Sequence, residues 1–307
     1  MEYVLQTNDL CMKYGGKLVL NKVNINVGKG DIYGFVGENG SGKTTVIRLI
    51  CGLIFPESGT FKLFDIDQND KAIYQVRKKL GAIVESPSVY QNFSAYDNLK
   101  MQCNILNIND DEKIKRALED VGLYELYSDK KKAGNFSLGM RQRLGIAMAL
   151  LGEPEFLILD EPMNGLDPAG IVGIRELIIR LNREKGITFM ISSHILNELS
   201  LVATKYGIIS KGKIIKEITA EQLKHECRPS TFISTDNVSD LYQTLAGVVA
   251  EQDLHVTPNG IKVYGDVDLN QILKTVIDGG VKILGVNCNQ TSIEDYYLSV
   301  IGGANND

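Results

Sequence analysis

At 307 residues, 44% hydrophobic and 23% charged, the chain suits about two domains of 100 to 200 residues each and can build a sizeable core, which excludes wholesale disorder. Its 33 basic and 38 acidic residues give a formal charge of -5, so bulk electrostatics offer no hold on nucleic acid. No apolar run reaches the roughly 18 to 20 residues that span a bilayer and Met1-Glu2-Tyr3 opens no signal peptide, which predicts a cytosolic chain of reduced, mostly buried cysteines.

In chain order, Val23 to Val27 alternates as a strand does. Ile32 to Val36 is an apolar run that ends in a glycine-rich loop, and Thr44 to Ile54 has helical character. Ala82 to Val84, Phe156 to Leu159, Ile187 to Ile191 and Gly207 to Ser210 read as short buried strands between helical stretches. That alternation predicts an α/β domain with a mostly parallel sheet. Residues 92 to 153 differ: Leu99 to Ile105, Glu112 to Val121 and Leu138 to Leu151 are helical in period and no strand stands out, so this stretch is expected to be a helical insert.

Near residue 227 the charge changes character. Residues 1 to 227 carry 29 basic and 28 acidic side chains, residues 228 to 307 only 4 against 10. Arg228-Pro229-Ser230 reads as a linker, because proline disfavours helix in the residue before it. The expected domains are therefore 1–227 and 228–307. The second begins with a strand at Thr231 to Thr235 and a helix near Val238 to Leu245. A hairpin follows, in which Leu254 to Thr257 and Ile261 to Tyr264 flank Pro258-Asn259-Gly260. A helix from Leu269 to Ile277 and a strand from Lys282 to Val286 complete a small α+β module without a convergent catalytic set.

Gly37-Glu38-Asn39-Gly40-Ser41-Gly42-Lys43-Thr44, followed by Thr45, fits G-x-x-x-x-G-K-[ST] between a predicted strand and a predicted helix. The glycines let successive backbone N–H groups turn inward as an anion nest, and the helix adds its positive end. Lys43 would reach the β- and γ-phosphates of ATP, and the Thr44 hydroxyl would ligate Mg²⁺. Phe156 to Leu159 then delivers Asp160 and Glu161 to a strand's carboxyl end, where open α/β sheets bind ligands. Asp160 suits the metal site, and Glu161 is placed to orient or deprotonate an attacking water.

With Asn135-Phe136-Ser137-Leu138-Gly139-Met140-Arg141-Gln142-Arg143, the sequence resembles the ATP-binding subunit of an ABC transporter over about residues 3 to 225. Ser137 and Gly139 match the family's LSGGQ signature; Phe136, Leu138 and Met140 do not. The resemblance implies a P-loop NTPase core with an antiparallel β subdomain and a helical insert. It implies an ATPase that closes head-to-tail with a second ATP-binding subunit, as homodimer or heterodimer, so that each signature faces the γ-phosphate held by the other. Gly165-Leu166-Asp167 resembles the D-loop of that interface, His194 the switch histidine bonded to the γ-phosphate, and Tyr14 the aromatic residue that stacks on adenine. His225 and His255 gain no such support. Most members carry glutamine where Glu85 stands in Gly81-Ala82-Ile83-Val84-Glu85-Ser86-Pro87, touching Mg²⁺. A glutamate there, with a Ser-Leu-Gly-Met signature, resembles the subgroup that exports bacitracin or lantibiotics.

The function implied is a motor on the inner face of the membrane, attached through an integral membrane permease. The alternative is a soluble, non-transport ABC ATPase acting on a macromolecular partner. A single phosphate loop and the 91 residues between Thr45 and Ser137 argue against ribosome-acting and chromosome-type members. A P-loop kinase would leave Ser137 and His194 unexplained.

Overall fold

Two sheets of different character share the first of two units into which Cα proximity divides the chain, residues 1–220 and 221–307. The computed structural model describes residues 2–265, 268–289 and 292–303.

The chain opens with β1 (Tyr3–Tyr14), a twelve-residue strand that pairs antiparallel first with β2 (Lys17–Val23) and then with β3 (Asn26–Gly28). The expected single strand over Val23 to Val27 is therefore split. At the break the Thr7 hydroxyl donates to Val23 O and accepts from Ile25 N, satisfying the backbone where the ladder changes partner. After β4 (Ile32–Val36) and α1 (Lys43–Cys51), β5 (Ser58–Leu63) and β6 (Ile66–Asp67) complete this sheet in the order β2-β1-β5-β6. Helix α1 stops three residues short of the predicted Ile54, because Gly52 takes the left-handed conformation and its N–H returns to Leu49 O.

The larger sheet has the order β11-β10-β4-β9-β8-β7. Its members are β4, β7 (Leu80–Ile83, after the short α2, Ile73–Val76), β8 (Phe156–Asp160), β9 (Thr188–Ser193), β10 (Lys205–Ser210) and β11 (Lys213–Thr219). All its pairings are parallel except β10 with β11. Every residue of β4, β8 and β9 is buried, as expected of parallel strands covered on both faces. Between β7 and β8 lie α3 (Ala95–Ile105), α4 (Asp111–Asp120) and α5 (Leu138–Leu150), with no strand among residues 92–153. Helix α6 (Pro168–Lys185) crosses from β8 to β9, and α7 (Leu196–Ser200) from β9 to β10. The core runs through both sheets and α1, from Leu5, Leu10 and Leu20 to Phe35, Ile47, Phe156 and Met190.

The second unit begins within α8 (Ala220–Glu226), before the sequence-based boundary at 227. It holds β12 (Ser230–Thr235), α9 (Val238–Ala246), β13 (Leu254–Thr257), β14 (Gly260–Tyr264), α10 (Leu269–Asp278), β15 (Ile283–Asn289) and α11 (Ile293–Gly303), the last unanticipated. The sheet is antiparallel in the order β13-β14-β12-β15. Pro258 and Asn259 form the expected hairpin turn. Ile233, Ile261 and Val263 make a separate core with Leu241 and Leu245 of α9 and Ile272 and Val276 of α10.

Candidate functional site

Adjacency in the large sheet assembles the site. Strands β4, β9 and β8 are neighbours in register, Val36 beside Ser193 and Ser192 beside Asp160. Their carboxyl ends thus carry the phosphate loop, His194 and the acidic pair to one edge, where ligands of open α/β sheets bind.

The loop leaves β4 at Gly37, whose N–H donates to Ser193 O at 3.2 Å. No side chain fits there: a Cβ would stand 2.4 Å from Ile209 O and 2.6 Å from Ser41 Oγ. Gly42 turns the chain into α1 at φ 112°, a conformation that costs glycine little. Asn39 and Gly40 are exposed, whereas Ser41, Gly42, Lys43 and Thr45 are buried. The Ser41 hydroxyl is buried with no hydrogen-bond partner among the described residues. The Lys43 ammonium donates to Gly37 O at 2.5 Å and Glu38 O at 3.2 Å, and lies 3.2 Å from Glu161 Oε1.

Asp160 ends β8 fully enclosed, at 2% exposure. Its Oδ2 accepts from the Thr44 hydroxyl at 2.9 Å and its Oδ1 from the Ser192 hydroxyl at 2.5 Å. Ser192 in turn accepts from Glu161 N at 2.9 Å. Glu161 has φ 49°, a left-handed conformation that costs a non-glycine residue about 1 to 3 kcal/mol and clusters at functional sites. Its other carboxylate oxygen, Oε2, stands 2.9 Å from His194 Nδ1. Lys43, Thr44, Asp160, Glu161 and His194 thus form one continuous polar cluster. Sequence reasoning missed Ser192, which ties both carboxylate residues to β9. Its only signal was a serine two residues before His194 on a strand that predicts apolar side chains.

Ser137 caps α5 by accepting from Met140 N at 3.2 Å, and Asp167 caps α6 by accepting from Gly170 N at 2.9 Å. With Gly139 and Gly165 they line a separate open cavity of about 460 Å³. Among the described residues, no hydrogen bond or ion pair joins Ser137, Gly139 or Asp167 to Lys43, Thr44, Asp160 or His194. Tyr14 ends β1 and is 42% exposed, an available flat face.

Glu85 is not brought into the polar cluster. Strand β7 ends at Ile83, the chain takes φ 65° at Glu85, and the carboxylate pairs with Arg48 of α1. Arg48 has no motif to announce it.

Thr44 and Asp160 could hold Mg²⁺. No group of three or more His, Cys, Asp or Glu side chains placed to bind a metal occurs among the described residues. A metal here would complete its shell with water and nucleotide oxygens, as Mg²⁺ does with phosphates. The unpartnered Ser41 hydroxyl fits the same use, since buried polar groups otherwise find partners.

Residues 20–164 match the ABC transporter family. The chain is 42% identical to the bacitracin transport ATP-binding protein BcrA of Bacillus licheniformis, over 99% of both chains. It is also 42% identical to the lantibiotic transport ATP-binding protein SrtF of Streptococcus pyogenes, over 70% of this chain and 90% of that one. Among solved structures, cbiO1 from Clostridium perfringens, part of the ABC transporter complex cbiONQ, superposes with a TM-score of 0.66 at 27% identity, over 74% of this chain and 92% of that one. The chain therefore belongs to the ABC transporter family, as one of its ATP-hydrolysing subunits.

Proposed function

We propose that this ATPase closes head-to-tail with a second ATP-binding subunit over two ATP and Mg²⁺, and drives an integral membrane permease that exports a peptide antibiotic of the bacitracin or lantibiotic kind. The likeness to BcrA over nearly the whole chain supports the cargo class. No described helix is long and apolar enough to cross a membrane. Attachment to the inner face would run through the permease.

One observation supports the dimer: the phosphate loop and the signature residues lie at two separate places on the chain. The nest with Lys43 would bind the phosphates, while Ser137 and Gly139 offer free helix N–H groups at a cavity of their own. A second subunit facing the first would bring one chain's signature to the other's γ-phosphate, with Asp167 between. Tyr14 would stack on adenine.

Lys43 sits between Glu161 and the loop carbonyls. Phosphates entering the nest would draw its ammonium toward them and release Glu161 Oε1 to orient and deprotonate the attacking water. His194 would steady the other oxygen and bond the γ-phosphate. Bound Mg²⁺, held by Thr44 and Asp160 and approached by Glu85, would neutralise charge on the β- and γ-oxygens. We assign the acidic residues 228–307 an accessory role.

Glu161→Gln tests this reading. It should retain ATP, lose hydrolysis, and form an ATP-dependent dimer by light scattering, alone or with the sister subunit that co-purifies with the permease. Hydrolysis near the wild-type rate would remove Glu161 from the base role, and an unchanged mass with ATP in both preparations would remove the dimer.

A further inference from the structure

We propose that strand β15 is a self-association edge, through which the 228–307 modules of two copies pair antiparallel into one continuous sheet without nucleotide. This contact is additional to the ATP-driven closure proposed above and does not rest on it.

The first observation is an unguarded edge. In the order β13-β14-β12-β15 the outer strands are β13 and β15. An exposed edge is a row of unpaired N–H and C=O groups, which proteins blunt by shortness, charge, proline or bulges. The β13 edge is blunted: it has four residues, and it follows a turn holding Glu251 and Asp253. The β15 edge has seven residues, with no proline and no charged side chain from Ile283 to Asn289. Its register shift against β12 lies at its start, between Ile283 and Gly285. From Gly285 to Asn289 the ladder with Ser234 to Ser230 is regular. No other described strand pairs with it, and residues 284 to 288 are all exposed, Leu284 by 57% and Val286 by 39%.

Charge selects the occupant. The module carries 4 basic and 10 acidic side chains, so a basic foreign segment would be the natural guest of an acidic surface. The strand offers such a guest no carboxylate. What seven uncharged positions suit is pairing with themselves, because across a twofold axis any charge would meet its own copy or a neighbour's, and directly opposed like charges destabilise a sheet. The regular stretch centres on Asn287, so the self-pairing register sets Asn287 against Asn287, Val286 against Cys288 and Gly285 against Asn289. The exposed Val286 gains an apolar neighbour, and the central Asn side chains can bond each other. Closed twofold contacts of this kind are isologous and do not propagate. A single strand pair falls below the area of about 1,200 Å² typical of stable interfaces, so the expected dimer is weak and dilution-sensitive.

The test uses the full chain without ATP. Wild type should sediment as a monomer–dimer equilibrium, and Asn287→Lys, which places two ammonium groups on the axis, should weaken it at least about tenfold, while circular dichroism shows the fold intact. Asn287→Cys in a Cys288→Ser background should form an intermolecular disulfide at least about tenfold faster than Val248→Cys, whose site in the same module is 47% exposed. A wild type monomeric at up to about 1 mM, an equilibrium unmoved by Asn287→Lys, or equal cross-linking at 287 and 248 would each overturn the proposal. The ATP-dependent dimer of Glu161→Gln is scored separately with and without Asn287→Lys. Its loss in both backgrounds would count against the head-to-tail reading alone.

Discussion

Ser192→Ala removes a hydroxyl that is fully buried and serves both carboxylate residues of the site. Two consequences follow from the geometry. The part-buried Glu161 N loses its acceptor, and an amide left unpaired there costs up to about 1 to 3 kcal/mol. Asp160 Oδ1 loses a donor to a carboxylate that is 2% exposed, a bond of the stronger, charge-assisted kind worth about 1.5 to 3 kcal/mol. The two losses share one atom and do not add fully, so about 3 kcal/mol is the expected total. At about 2 to 4 °C per kcal/mol for a unit of this size, melting should fall by about 6 to 12 °C. Activity should suffer in a particular way. Glu161 holds φ 49° through this N–H bond and its contacts to Lys43 and His194, so losing one tether should misplace the carboxylate. The phosphate nest is untouched. We expect kcat to drop at least about tenfold, near 1.4 kcal/mol, with the KM for ATP little changed, the split of an interaction made in the transition state. Ser193→Ala is the control, because its hydroxyl bonds Glu198 and Ile195 N instead. Steady-state ATPase assays and calorimetry on both variants decide it. A Ser192→Ala protein melting within about 2 °C of wild type, with kcat within about threefold, would refute the role given to this hydroxyl.

Lys43→Ala should abolish ATP binding, since it removes the cation buried in the phosphate nest; hydrolysis within about tenfold of wild type, a loss of only about 1.4 kcal/mol, would contradict the assignment. Glu85→Gln should improve metal-free ATP binding relative to binding with Mg²⁺. Its exposed pair with Arg48 is worth only about 0 to 1 kcal/mol and can be given up to a metal, so an unchanged ratio of the two affinities would leave Glu85 as a partner of Arg48 alone. Stability should decline in alkali. Burial pushes the Cys51 thiol up to about 12, against a partial lowering by Arg77, so the unfolded chain releases that proton first and the stabilisation present below about pH 8.5 is lost as pH rises toward 12. Unfolding free energies from urea titrations of wild type and Cys51→Ala between about pH 9 and 10 should diverge by about 1.4 kcal/mol per pH unit or less, with parallel curves as the contrary result.

What could be read from the sequence was what is local. The phosphate-loop motif declared itself because its glycines, lysine and threonine stand within eight consecutive residues, and the buried strands β4, β8 and β9 declared themselves because burial on both faces makes them continuously apolar. The antiparallel sheet left a weaker trace. Strand β1 has one half-solvated face, turns to positive φ at Asp9 and exchanges partners at Thr7, so its alternation is broken where a period-2 reading needs it whole. The site divides the same way. Asp160 ends β8 and Glu161 and His194 directly follow strands, but Ser192 gains its part only because β9 lies beside β8 in the folded sheet, and Glu85 meets Arg48 from 37 residues away. Pairings of that range arise from topology, which one strand's composition does not encode. The same reasoning bears on the second unit. Its hairpin was legible from Pro258-Asn259-Gly260, yet nothing in Ile283 to Asn289 announces an edge strand. Its lack of charge reads equally as a buried central strand, and the order β13-β14-β12-β15 alone turns that composition into an exposed, unguarded edge. Uncharged strands are safe in the middle of a sheet and adhesive at its border.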